Sequence, residues 1–458
     1  MTTLDQALEH HKAGRLEEAE AAYRELLARE PEHADALHWL GVIAYQLRQH
    51  ETAVELIGRA LSLNPNYVEA HNNLGLALRA RGQMTQAVSA YRQALALAPD
   101  DPEVYNNLGI ALADHGDINE AIAAFERAVT LSPDFAEAHF NIGTNLLLKG
   151  EFEQGWQKYE WRLRSEEQKE RSGTCDFPRP RWHGSAFPGK TLLVHTEQGF
   201  GDTLQFVRYL PLVKERGGQV LLACQPQLRR LLERCGGVDA LVGDPQQPLQ
   251  DIHFDEHVAL ASLPSIFGTR LDTIPTEVPY LQMAPELART WGARVDPGNF
   301  SVGIVWAGSR DPNPYRSCTV TALAPLAGIT GIHFYSLQKG AASSELAQLP
   351  DNMQLTDFTA ELRDFADTAA LMVNLDLVIS VDTAVAHLAG ALGRTVWTLL
   401  PHVPDWRWLL EREDCPWYPT MRIFRQPRTK DWSSVIQRVS AELERASQRG
   451  RPETAGTQ

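Results

Sequence analysis

Residues 374–401, NLDLVISVDTAVAHLAGALGRTVWTLLP, decide the fold class of this 458-residue chain. The run 375–381 reads as a strand buried on both faces. Asp382 and Thr383 interrupt it, and either side chain caps a helix. The Ala- and Leu-rich stretch 384–392 reads as that helix, stopped by Gly393. A β-branched run, 395–400, completes a strand–helix–strand unit. A tight turn of this kind gathers free backbone N–H groups and the positive end of a helix at one point, which suits a phosphate. An ordinary capped helix in an α/β sheet has the same pattern, so the segment by itself leaves both readings open.

Working outward, the same alternation fills the chain from residue 191. TLLVHT (191–196) is a strand, followed by a turn with glycines and an amphipathic helix. Strands are expected near 219–223, 238–243 and 253–259, with a helix over 227–234. After a linker at 291–299, SVGIVWAG begins a second unit of the same kind, and residues 431–448 read as an amphipathic closing helix. Two such units face to face place a cleft at the carboxyl ends of their strands, where ligands bind in this class.

Before residue 165 the period is different. Pro31, Pro65, Pro99 and Pro133 recur every 34 residues, the tetratricopeptide spacing. Leu40-Gly41, Leu74-Gly75, Leu108-Gly109 and Ile142-Gly143 mark a close approach of two helices. Tyr23, Ile57, Tyr91 and Phe125 follow on the matching face of the second helix. Four full repeats and a divergent fifth form an α-solenoid. Asn73, Asn107 and Asn141 recur at one position of the first helices, where an amide that donates and accepts matches a peptide backbone laid in the groove. Packing between repeats accounts for them equally well. The domains are therefore 1–164 (solenoid), 165–190 (linker), 191–298 and 299–430 (two Rossmann-like domains), and 431–450 (closing helix).

Composition narrows the function classes. Apolar residues make up 43% and charged residues 22%, as in a globular protein. The net charge is −15, and residues 1–150 hold 11 basic against 21 acidic residues, so a nucleic-acid partner is not expected. No stretch has the length of apolar residues a membrane span needs, and the first residues lack a secretory pattern. Five scattered cysteines without CxxC spacing point to a reducing compartment, and the cytoplasm is the expected location.

The chemistry concentrates in two turns. QGFGD (198–202) joins a strand to a helix without being a dinucleotide fingerprint, and Asp202 is either a helix cap or a general base at the cleft. Across the cleft, Arg310, Arg316 and Lys339 with the turn before Ala384 are suited to a diphosphate, and His387 is placed to donate to it. No DxD triplet or metal-ligand spacing occurs, so a metal-free route without a cofactor is expected.

Together, QGFGDTLQFVRYLPL, GIVWAGS with its downstream RS, FYSLQKG and LDLVISVDTAVAHLAGALG resemble glycosyltransferase family 9, the ADP-heptose:lipopolysaccharide heptosyltransferase-like family of GT-B fold. The trailing PDWRWLLEREDCPWYPTMRIFRQ is similar to a bacterial subgroup that joins this module to tetratricopeptide repeats. The resemblance implies an inverting transfer from a nucleotide-diphosphate sugar. It implies Asp202 as the base on the acceptor hydroxyl, with Ser309 and Arg316 at the donor phosphates. Asp382, Thr383, Ala384 and His387 would form the diphosphate turn, and Gln338 and Lys339 would lie at the nucleoside. The repeats would then serve a protein partner or acceptor. The alternative is a non-catalytic adaptor carrying a vestigial GT-B domain. An oxidoreductase on paired dinucleotide folds is disfavoured by the missing GxGxxG.

Overall fold

A computed structural model of the chain describes residues 3–165, 177–243, 252–309 and 313–448. Arg310 and Cys175 lie outside the described residues. The chain divides into two compact units, Met1–Leu146 and Leu147–Gln458.

The first unit is an α-solenoid of antiparallel helix pairs. They are Leu4–Lys12 with Leu16–Arg29, Ala34–Gln46 with His50–Leu63, Val68–Ala80 with Met84–Leu97, and Pro102–His115 with Ile118–Leu131. The repeating glycines have the reason the sequence suggests. A Cβ on Gly75 would lie 2.5 Å from the Tyr91 ring, and one on Gly109 would lie 2.5 Å from the Phe125 ring. A side chain there would force the two helices apart. Ala19, Ala53, Ala87 and Ala121 are fully buried at the matching small position.

The second unit contains two parallel sheets. Strands β1 (Thr191–His195), β2 (Gln219–Ala223), β3 (Ala240–Val242) and β4 (Glu256–Ala259) form a four-stranded sheet in the order β3-β2-β1-β4. The other six are β5 (Phe300–Val305), β6 (Ile332–Ser336), β7 (Leu355–Asp357), β8 (Leu377–Val381), β9 (Val396–Leu400) and β10 (Met421–Arg425). Their order is β10-β9-β8-β5-β6-β7. Every pairing is parallel, and β8 and β9 are buried along their whole length.

These strand orders matter for function. In the first sheet the chain runs outward from β1 to β3 and returns to place β4 on the other side of β1. In the second it runs outward from β5 to β7 and returns to β8, on the other side of β5. Each reversal leaves a crevice at the carboxyl ends of the two strands it separates. The loops after β1, β5 and β8 open there, and they are the loops that carry QGFGD, AGS and DTA.

Some local expectations shift. The helix expected over 227–234 is a 3-10 turn, Pro226–Leu228, followed by Arg229–Leu232. The linker expected at 291–299 begins inside a helix, Pro285–Gly292, whose Trp291 is buried. Within 165–190, the described residues 177–190 partly belong to the first sheet: Arg181 bridges to His257 of β4. The compact units also divide earlier than the solenoid boundary expected at 164, because residues 147–164 pack with the α/β elements. The closing helix Trp432–Gln448 buries Val435, Ile436, Val439 and Leu443 in the core of the second sheet.

Candidate active site

The turn after β1 is built by its own helix start. Gly199 caps the helix Phe200–Phe206, and the Asp202 carboxylate reaches back to accept from the Gly199 N–H at 2.9 Å. Asp202 is thus the third residue of the helix rather than its cap, which points its other oxygen outward. That oxygen is bound by Arg407. Arg407 is buried, and it also donates to Asp405 at 2.8 Å and to Gln205 at 2.6 Å. Its guanidinium lies 4.2 Å from the centre of the Trp406 ring, so its plane is fixed by packing as well as by charge. Burial raises the pKa of Asp202 and the nearby Asp405 adds to this, while Arg407 acts against both.

Facing it is the turn after β8. Thr383 caps the helix Ala384–Ala391, its hydroxyl accepting from the Val385 N–H at 3.3 Å and lying 3.0 Å from that of Ser380. The preceding Asp382 is buried, and its carboxyl is pushed up to about 6 by burial and by Asp405, with Arg316 and Arg407 pulling the other way. The loop after β5 closes the group. A Cβ on Gly308 would sit 3.1 Å from Thr383 and 3.3 Å from Arg316, and Arg316 donates to the Ser309 carbonyl at 2.8 Å. Ser309, Arg316, Asp382, Thr383 and Ala384 are therefore assembled at one place.

The two turns touch. A Cβ on Gly201 would lie 2.8 Å from the His387 ring and 3.7 Å from the Ala384 backbone, so glycine is what lets the two helix starts meet. His387 is buried against Trp408, with ring centres 5.1 Å apart, and its Nδ1 is 2.9 Å from the Tyr418 hydroxyl. Tyr418 hydrogen-bonds in turn to Tyr280, whose hydroxyl donates to the Leu204 carbonyl at 2.8 Å and accepts from Arg208 at 2.9 Å. The Nε2 edge of the ring faces Gly201, 3.4 Å from where a Cβ would lie. Burial, with Arg407 and Arg208 nearby, holds the His387 pKa well below its usual value. The neutral ring packs at the junction of the two turns.

Two expected residues are not brought to this group with free side chains. Gln338 is buried, accepts from the N–H groups of Trp306 and Ala307 at 3.1 and 2.9 Å, and donates to the Ala307 and Lys339 carbonyls. Lys339 donates to the carbonyls of Thr359 and Leu362 at 2.5 and 2.8 Å. Both side chains are committed to holding loops. In the solenoid, Asn107 donates to Asn72 at 3.1 Å and Asn141 to Asn106 at 3.0 Å, while Asn73 lies 2.9 Å from Nε2 of His38. These bonds join successive repeats.

Comparison with known proteins places these observations. Models of tetratricopeptide repeats match residues 4–60, 56–89, 75–116 and 111–150. A model of glycosyltransferase family 9 (heptosyltransferase) matches residues 330–430, which contain β6 to β10 and the turn at Thr383. The chain carries tetratricopeptide repeats and, further along, a segment that matches the family 9 glycosyltransferase model. Protein FlbA of Caulobacter vibrioides is 29% identical over 328 residues, which take in 65% of this chain and 53% of that protein. The chain thus spans about half the length of the curated relative it matches. Among solved structures, MamA is 25% identical over 37% of this chain and 98% of its own, with a TM-score of 0.34. YrrB, described as a TPR protein with an unusual peptide-binding site, is 23% identical over 34% of this chain and 81% of its own, with a TM-score of 0.32.

Within the segment 330–430, sequence reasoning missed Arg407 and Asp405. They stand in the PDWRW stretch, quoted for its likeness and assigned no role. An Arg between an Asp and two tryptophans is the available signal, since aromatic walls accompany fixed guanidinium groups. Among the described residues no helix is long and apolar enough to cross a membrane, and no three His, Cys, Asp or Glu side chains are grouped to hold a metal ion.

Proposed function

We propose that the chain is an inverting, metal-independent glycosyltransferase that uses a nucleotide-diphosphate sugar, with the repeats as a scaffold for a protein partner or acceptor. The observation that carries this is the Gly201–His387 contact, which sets the Asp202 turn against the N-terminus of the helix Ala384–Ala391. In the reaction, Asp202 takes the proton of the acceptor hydroxyl. The acceptor oxygen bonds to the anomeric carbon as the bond from that carbon to the diphosphate oxygen breaks. Arg316, with the positive N-terminal end of the helix Ala384–Ala391, offsets the charge on the departing diphosphate. Burial supports the base role, because a carboxyl with a raised pKa is a better proton acceptor near neutrality. The acceptor's protein, if one is carried by the repeats, would lie along the first helices and meet Asn73, Asn107 and Asn141. A panel of ADP-, GDP-, UDP- and TDP-linked hexoses tests the reading. Turnover by the wild-type chain, unchanged by EDTA and lost in Asp202→Ala, is expected; wild-type turnover in Asp202→Ala sinks the base assignment.

The adaptor reading retains one observation in its favour: both carboxylate oxygens of Asp202 already have protein partners. Calorimetry decides between the two, since an adaptor gives no heat with any of these donors.

A further inference from the structure

Tyr159 and Arg162 fall, by the 34-residue frame, in the second helix of the fifth repeat, where Tyr159 continues the series Tyr23, Ile57, Tyr91 and Phe125. Their contacts are not those of a repeat. The helix Phe152–Tyr159 and the 3-10 turn Glu160–Leu163 pack in the same compact unit as the two sheets. The hydroxyls of Tyr23 and Tyr91 are buried without a hydrogen-bond partner among the described residues. By contrast, the hydroxyl of Tyr159 donates to Gln198 Oε1 at 3.0 Å. Arg162, also buried, donates to Glu197 at 2.8 Å and to Ser262 at 2.8 Å. Glu197 and Gln198 are the two residues that lead into the Gly199–Asp202 turn. The same helix reaches the other side of Asp202: the Tyr159 and Trp156 rings lie 5.9 and 5.2 Å from that of Trp406, the ring on which Arg407 rests.

From this geometry we infer that Tyr159 and Arg162 are positioning residues for Asp202, so that the last repeat helix has become a supporting part of the candidate active site. The inference rests on the proposed role of Asp202. One short segment holds both the loop that carries the carboxylate and the ring that fixes its arginine partner. A buried hydrogen bond and a desolvated ion pair between such segments fix position strongly, because each group left unmatched would be costly. Misplacement of a reacting group by ~1 Å is enough to cost about a hundredfold in rate.

The test is Tyr159→Phe in the full chain, with Tyr91→Phe as the control at the same repeat position. With the nucleotide-hexose panel, Tyr159→Phe is expected to lower kcat about tenfold, leave the donor KM unchanged, and shift the acid limb of the pH profile. Hydrogen exchange of the amides at 198–202 should speed up, with none of these changes in Tyr91→Phe. Wild-type kcat, pH profile and exchange in Tyr159→Phe, with Asp202→Ala inactive, would overturn the positioning role and leave the base standing. An active Asp202→Ala instead removes the base reading, and unchanged exchange at 198–202 in Tyr159→Phe then removes the positioning inference as well. If no donor is turned over, the exchange comparison alone decides whether Tyr159 holds the loop.

Discussion

Arg407 grips the Asp202 carboxylate across 205 positions of sequence and is itself held by Asp405 and by the Trp406 ring. Burial raises the pKa of this carboxyl, while the Arg407 guanidinium favours its ionised form and fixes its direction. Asp202→Asn keeps the shape and the Gly199 bond while losing the proton acceptor. It should lower transfer by about 10²–10⁴-fold with donor affinity unchanged. Steady-state kinetics together with donor calorimetry checks both halves.

Gly201→Ala should act on the junction of the two turns. The new methyl would lie 2.8 Å from a His387 ring that Trp408 and Tyr418 hold in place. Overpacking of this kind costs about 1–3 kcal/mol, so thermal unfolding should move to lower temperature and donor turnover should fall with it.

Two buried groups give the fold opposing responses to acid. The Asp382 carboxyl sits at about 6 in the folded chain, above the value of about 4 expected when unfolded. Its ionised form therefore costs the fold stability above pH ~6, and the cost is relieved as pH falls toward 4. His387, held neutral, does the reverse: below about pH 6.5 the unfolded chain takes up a proton that the fold refuses, and stability drops. Asp382→Asn should make the chain more acid-labile than wild type between roughly pH 6 and 4, and His387→Gln less so. Denaturant titrations across that range read both slopes.

The repeat asparagines can be tested for packing and for partner capture separately. Asn141→Ala strands the buried side-chain amide oxygen of Asn106 and should cost about 1–3 kcal/mol. A partner peptide that binds the triple variant of Asn73, Asn107 and Asn141 as well as wild type would remove the groove role and leave the ladder.

Gln338→Ala would leave the N–H groups of Trp306 and Ala307 without their acceptor. A stability loss of about 2–4 kcal/mol is expected, with nucleotide-hexose affinity of the folded protein changed little. A large affinity loss at unaltered stability would instead restore Gln338 to the nucleoside site.

What the sequence by itself determined is whatever depends on near neighbours. The 34-residue spacing of Pro31 to Pro133 specifies helix pairs, because each repeat packs mainly on the next one. The turns at Asp202 and Thr383 were legible because strand, turn and helix start follow one another within a dozen residues. Tertiary structure alone decided which charges meet. Arg407 reaches Asp202 because the loop that follows β9 comes back over the first sheet's opening turn, and no local period encodes that return. The same holds for Lys339 and Gln338, whose polar groups are spent on backbone partners brought close by the sheet. It holds for residues 152–163, whose repeat pattern continues while their burial changes owner. Periodicity records which face of an element is buried; what covers that face is settled when distant segments pack. For the 374–401 stretch, that packing sets the Asp202 turn against the helix at Thr383.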